Sequence, residues 1–306
     1  MMADTDDLTH SVIDELISAK DYRQKLINRV ETRNKLEPLN VRQRVINKMA
    51  TLNGKAPVPK LLIKRQLEQD NFPDHIALVP DGNRRWADAR RLSVGHGYAK
   101  GADVITDFRE WAMVDNSVDT LSIFLMSTEN IERRPQEELK QLYAVFTDFF
   151  DDVSESEFVH DNRIKHEVRG NGDALERLPD SVQSSINDME EATSEYTNKK
   201  VVFLIGYGGR DEIVNAARQT PMTDHDVQVS GDGEDSTQFR DNLLLGDLPD
   251  VDLMIRTSER RISNFMLYEN AYSEFVFLDK MWPSYTESDF YQNIYSYANR
   301  ERRYGV

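Results

Sequence analysis

A short stretch, His75-Ile-Ala-Leu-Val-Pro-Asp-Gly-Asn-Arg-Arg-Trp-Ala87, sets a carboxylate, a glycine, an amide and two guanidinium groups directly after an apolar run. Ile76 to Val79 reads as a buried strand that stops at Pro80, and Asp81, Gly82 and Asn83 turn the chain into a helix-prone segment. A strand, a glycine turn and a helix N-terminus aim backbone N–H groups and the positive end of the helix dipole at one spot, which suits a phosphate. Arg84 and Arg85 add cations, and Asp81 offers a hard oxygen able to hold Mg²⁺ against a diphosphate. No Gly-Lys-Ser/Thr follows, so this is not a Walker loop. Taken alone, the same residues make an ordinary turn with Asp81 as a helix N-cap. The decision comes from the rest of the chain.

A second cluster, Arg256-Thr-Ser-Glu-Arg-Arg-Ile-Ser-Asn-Phe265, follows another apolar run. Three arginines and two serines within eight residues form a cationic, donor-rich cup for a diphosphate. Charge runs are usually solvated faces, but this one lies between Leu253-Met254-Ile255 and Phe265-Met266-Leu267.

The elements that must position these clusters alternate strand and helix. Gly101 to Val114 reads as an amphipathic helix. Val118 to Met126 reads as a strand running into Ser127-Thr-Glu-Asn-Ile-Glu-Arg-Arg-Pro135. A long helix then carries Leu139, Leu142, Val145, Phe146, Phe149 and Phe150 on one face. Strands over Ile164 to Val168, Val201 to Ile205 and Val251 to Ile255 follow, with helices over Asp180 to Glu195 and Asp211 to Arg218 between them. The pattern predicts an α/β fold with a mostly parallel central sheet flanked by helices. Ligands of such sheets sit beyond the carboxyl ends of the strands, where these junctions lie. Residues 1–70 read as a helical N-terminal extension, mildly basic, and 71–306 as the catalytic domain. Thr220 to Ser236 reads as an acidic loop.

Composition narrows the function. With 306 residues the chain can bury a full core, and no apolar run approaches the length of a membrane span. The absence of cysteine excludes disulfides and thiolate metal sites and fits a cytoplasmic protein. Six scattered histidines argue against zinc. A formal charge of −16 argues against nucleic-acid binding. Acidity of this degree suits either a protein working at high salt, where screening weakens self-repulsion, or an ordinary acidic one.

Asp81-Gly82-Asn83-x-Arg85-Trp86-Ala87, Ser127-x-Glu129-Asn130, Tyr207-Gly208-Gly209-Arg210, Arg256-Thr257-Ser258…Arg261-x-Ser263-Asn264-Phe265, Ala271-Tyr272-Ser273-Glu274, Trp282-Pro283 and Arg300-Glu301-Arg302-Arg303-Tyr304-Gly305 resemble, in order, the motifs of the cis-prenyltransferases. The best-known members are undecaprenyl diphosphate synthases. The resemblance covers about residues 72 to 306. It implies a homodimer that condenses isopentenyl diphosphate onto an allylic diphosphate (farnesyl or geranylgeranyl), with Mg²⁺ and a new Z double bond. It also implies contact with the membrane periphery through the lipid product. By matched position, Asp81 and Glu274 would form the metal site. Gly82, Asn83, Arg84, Arg85 and Trp86 would hold the allylic diphosphate. Asn83 and Ser127 would assist proton removal. Arg133, Arg256, Arg261 and Ser263 would bind isopentenyl diphosphate. The family's Gly-His pair matches Gly95-His96 by letter and Gly97-Tyr98 by spacing, so His96 and Tyr98 both remain candidates.

The sequence also departs from the family. Pro80 stands where Met is usual, Arg84 where Gly is frequent and Ile131 where Trp is frequent. An extra Arg precedes Pro135, and the Gly expected between Ser258 and Glu259 is absent. Leu125, with Phe149 and Phe150, predicts a shorter product or a reshaped tunnel. Two alternatives stand beside an active synthase: a non-catalytic subunit that scaffolds an active partner, and a relative using another prenyl acceptor.

Overall fold

The computed structural model describes residues 72–114, 118–220 and 237–300. The expected N-terminal extension, the expected loop beyond Thr220 and the end of the last motif lie outside the described residues.

Six parallel strands form one sheet: β1 (His75–Val79), β2 (Thr120–Ser127), β3 (Ile164–Arg169), β4 (Lys199–Tyr207), β5 (Leu253–Thr257) and β6 (Glu274–Leu278), in the order β3-β4-β2-β1-β5-β6. β1 and β5 are buried along their whole length, so they read as continuous apolar runs. β6, an edge strand, escapes sequence reading, because a five-residue apolar run carries no periodicity that separates strand from buried helix.

On one face of the sheet lie α2 (Val94–Val114), α4 (Gln136–Ser154), α7 (Asp180–Thr193) and α10 (Glu287–Ala298); Phe149 and Phe150 of α4 meet Phe203 of β4 edge-on at 5.4 and 5.6 Å. The other face is covered by Leu245, Leu248, Phe265 and Met266, packed on Ala77, Val202, Leu204 and Met254. Between these lie α1 (Asn83–Asp88), α3 (Thr128–Arg133), α5 (Glu157–Asp161), α6 (Gly172–Glu176), α8 (Gly209–Gln219) and α9 (Thr237–Asp241). α2 begins seven residues before the expected Gly101, and its early start takes in Tyr98. Among the described residues no helix is long and apolar enough to cross a membrane.

β2 is irregular where it matters. Phe124 pairs with Leu204 and Met126 with Ile205, so Leu125 is an extra, bulged residue two residues before the strand end. Bulges of this kind re-aim side chains. Ser127 then caps α3, its hydroxyl accepting from Asn130 N at 3.2 Å.

Candidate active site

The carboxyl ends of β1, β2 and β5 converge with α2 and α4 on a cavity of about 750 Å³. Its mouth is charged. Arg256, at the end of β5 and only 3% exposed, donates Nη2 to Asp81 Oδ2 at 2.9 Å and Nη1 to the Arg261 carbonyl at 2.6 Å. Arg85 Nη2 lies 3.7 Å from the other Asp81 oxygen and 3.2 Å from Glu259 Oε1. Glu259 Oε2 in turn accepts from Arg261 Nη1 at 3.0 Å, and Arg261 Nε donates to Ser263 Oγ at 3.2 Å. The result is a ring, Asp81–Arg85–Glu259–Arg261–Arg256–Asp81, in which carboxylates separate the cations except between Arg261 and Arg256, which the Arg261 carbonyl joins.

Backbone contacts fix the ring. The Asp81 carbonyl accepts from Trp282 N at 3.0 Å and from Thr257 Oγ1 at 2.7 Å. Gly82 sits at φ +106°, and a Cβ there would fall 2.3 Å from Ser258 Oγ, so only glycine lets the turn close against the β5 loop. Asn83 Nδ2 donates to the Pro80 carbonyl at 3.0 Å, while its Oδ1 is buried with no hydrogen-bond partner among the described residues. Gly101 passes so near that a Cβ would lie 2.4 Å from that oxygen. α1 is six residues long, so the cation side chains, rather than a helix dipole, carry the phosphate chemistry expected here.

The loop after β5 is unusually bent. Ser258, Ser263, Asn264 and Met266 all take φ between +45° and +68°. Each such non-glycine residue costs on the order of 1 kcal/mol, least for Asn. Ser258 adopts this conformation beside the point where the family's glycine is missing.

A polar wall built around the Arg134–Glu138 ion pair follows the charged mouth. Tyr98 donates its hydroxyl to Glu138 Oε1 at 2.6 Å and accepts from Arg134 Nη1 at 3.0 Å, and Arg134 Nη2 reaches Asn130 Oδ1 at 3.2 Å. Burial, reinforced by the Glu138 carboxylate, pushes the Tyr98 phenol upward, so it stays protonated. Below this wall the cavity is apolar, bounded by Ala102 and Ile105 of α2, by Leu142, Val145, Phe146 and Phe149 of α4, and by the bulged Leu125. Phe150 is fully buried in the core and does not line it.

The structure brings Asp81, Gly82, Asn83, Arg84, Arg85, Tyr98, Ser127, Arg133, Arg256, Arg261 and Ser263 to one cavity. Three expected residues fall elsewhere. His96 is exposed, its Nδ1 2.7 Å from Ser93 Oγ, and of the two candidates only Tyr98 lines the cavity. Trp86 points away, donating Nε1 to Ser284 Oγ at 2.9 Å beneath the Arg90 guanidinium. Glu274 begins β6 opposite Leu253, whereas Val79, just before Asp81, is level with Arg256 and Phe277. That is about 10 Å down the sheet at 3.3 Å per residue. Within this chain Glu274 pairs with Arg300 instead of Asp81.

Sequence reasoning missed Glu259, Arg134 and Trp282 as site residues. Trp282 lines the cavity and donates Nε1 to the Gly101 carbonyl at 2.9 Å. The signal for Arg134 was present, since it is the extra arginine before Pro135.

The donor set fits a particular kind of metal site. Among the described residues no group of three or more His, Cys, Asp or Glu could hold an ion. Asp81, with one oxygen on Arg256 and its side chain 34% exposed, suits a Mg²⁺ held by one carboxylate and by substrate phosphate oxygens.

Comparisons with known proteins identify the family. Residues 79–305 match the undecaprenyl diphosphate synthase family. A tritrans,polycis-undecaprenyl-diphosphate synthase (geranylgeranyl-diphosphate specific) from Methanopyrus kandleri is 38% identical over 87% of this chain and 97% of its own. One from Sulfolobus acidocaldarius is 36% identical over 79% and 91%. Lavandulyl diphosphate synthase from Lavandula x intermedia, solved with dimethylallyl diphosphate, superposes with a TM-score of 0.65 at 28% identity, covering 78% of this chain and all of that one.

Proposed function

The chain belongs to the undecaprenyl diphosphate synthase family of cis-prenyltransferases, and from that membership we propose that it condenses isopentenyl diphosphate with geranylgeranyl diphosphate to give a Z-polyprenyl diphosphate. The observation that carries this reading is the arginine ring closed on Asp81 directly above an apolar tube. The choice of starter follows the specificity named for the archaeal relatives.

The chain's own groups divide the work. Arg85 and the exposed Arg84 receive the allylic diphosphate, with the Gly82 turn allowing its close approach. Arg256, Arg261 and Ser263 receive the isopentenyl diphosphate. Departure of the allylic diphosphate leaves a cation at carbon, so the leaving group must be neutralised in place and water kept from the carbon. Arg85 and Arg256 are already aimed at one locus by Asp81, which lowers the cost of reorganisation at the moment of ionisation. Mg²⁺, held by Asp81 with the substrate's phosphates, would supply further neutralisation of that charge. Asn83 Oδ1, buried and without a hydrogen-bond partner among the described residues, and Ser127 Oγ assist proton removal by orienting the incoming unit, whose proton passes to the departed diphosphate. The hydrocarbon grows into the tube between α2 and α4.

The test is transfer of labelled isopentenyl diphosphate into extractable lipid, with Mg²⁺ and geranylgeranyl or farnesyl diphosphate in turn. Label in a Z-configured polyprenyl product, preferentially from the geranylgeranyl starter, is expected. A folded chain that transfers no label from any starter would be a scaffold subunit instead. Label passing from a labelled allylic diphosphate into an acceptor other than isopentenyl diphosphate would show the activity toward another acceptor.

A further inference from the structure

The tube ends against a buried cation. Ala102, Ile105 and Arg109 lie on one stripe of α2, and the first two line the cavity while Arg109 stands one turn beyond it. Arg109 is 2% exposed. Its guanidinium carbon lies 5.4 Å from the centroid of Phe149, the deepest aromatic of the α4 stripe, and Nη1 is 2.9 Å from His166 Nε2.

His166 Nδ1 sits 3.0 Å from the Ile164 carbonyl, which can only accept, so Nδ1 carries the proton and Nε2 receives the Arg109 hydrogen bond. Burial, then the Arg109 charge, hold this imidazole neutral. Among the described residues Arg109 Nε has no hydrogen-bond partner and no carboxylate is ion-paired to the guanidinium. Burial, opposed in part by the neighbouring Glu110 carboxylate, lowers Arg109 to about 10, so it stays charged at neutral pH. A core position that only supported Phe149 would be filled more favourably by Leu or Met, because an uncompensated buried charge is costly.

We propose that Arg109 is the length stop of the tube: its buried guanidinium behind Phe149, which makes no ion pair among the described residues, sets the longest hydrocarbon the cavity accepts, rather than the bulk of Phe149. The proposal rests on the reading of this cavity as a prenyl tube. A hydrocarbon end that reached the guanidinium would remove its aromatic partner and give nothing polar in return, so growth past this point is disfavoured electrostatically even where space exists.

The test needs no turnover. Saturated alkyl diphosphates of increasing length are titrated calorimetrically into the full chain; affinity should climb about fourfold per buried methylene and then level off where the tube is filled. In Arg109→Met the levelling point should move to longer chains. In Phe149→Ala and in Arg109→Lys, which keep the charge, it should stay within one or two methylenes of the parent. In the double variant Arg109→Met/Phe149→Ala it should move furthest. A levelling point that shifts in Phe149→Ala as far as in the double variant would make the floor steric and overturn the proposal, as would an unmoved point in folded Arg109→Met. If the parent binds no alkyl diphosphate of any length, the prenyl reading itself fails, and the stop with it.

Discussion

The two ends of the cavity handle positive charge in opposite ways. At the mouth, Arg85, Arg256 and Arg261 each face a carboxylate or carbonyl of the chain, so their charge is stored against internal anions. At the floor, Arg109 faces a neutral imidazole and an aromatic ring. A cation held by an exchangeable anion can be handed to a substrate phosphate, whereas one without an anion can only repel hydrocarbon. The difference teaches that arginine does two jobs here, recognition above and exclusion below, and that the partner set distinguishes them.

The comparison breaks most visibly at the mouth. Arg256→Leu should lower kcat/KM by about 10³-fold, the size seen when a preorganised donor to a developing charge is lost. Thermal unfolding should change far less, because Asp81 retains solvent and Arg85. An equal collapse of folding and activity would make the Arg256–Asp81 pair structural.

A buried acid without a counter-charge sharpens the contrast. Glu269 is 1% exposed and neither carboxyl oxygen has a hydrogen-bond partner among the described residues, while nearby Glu212 is satisfied by Tyr207 Oη and Leu245 N. Burial, followed by the Glu212 charge, pushes Glu269 up to about 8. Unlike Arg109 it can shed its charge, and at neutral pH it does so by keeping its proton. The folded form therefore binds a proton that the unfolded chain releases, so this stability is complete below about pH 4.5 and lost as pH rises through about 8. Glu269→Gln should flatten that decline by an amount on the order of a few kcal/mol, read as unfolding temperature against pH. Parallel curves for parent and variant would remove the buried-acid account.

Smaller effects test the exchange idea. Glu259→Gln frees Arg85 and Arg261 from their internal anion and should tighten inorganic pyrophosphate binding about three- to tenfold, seen by calorimetry. Weaker binding would mean that Glu259 organises the site instead of occupying it. Tyr98→Phe removes one hydroxyl between Glu138 and Arg134, which still face each other at 3.5 Å, and should raise the allylic KM only about two- to fivefold with kcat little changed.

Much of this was legible because the site is built from local junctions. Asp81 to Arg85, Ser127 and Arg256 to Ser263 lie at or just past the carboxyl end of a strand, so the parallel fold carries them to one place once the strands are recognised. Placement by letter failed where position along an element decides the outcome. Glu274 opens its strand and so lies at the far end of the sheet. His96 and Tyr98 occupy one helix, and the rotation of α2 turns only Tyr98 inward. The bulge at Leu125 depends on pairing with β4 and leaves no mark in the β2 sequence. Arg109 was invisible for a different reason, since a lone arginine in an amphipathic helix reads as solvated until burial is seen.

One measurement sets both ends of the cavity against each other: the size profile of labelled lipid made by the parent chain, Arg256→Leu and Arg109→Met from geranylgeranyl diphosphate, isopentenyl diphosphate and Mg²⁺. The account predicts defined polyprenyl products from the parent, almost none from Arg256→Leu, and longer ones from Arg109→Met. No lipid product from the folded parent, or the same profile from Arg109→Met as from the parent, would contradict it.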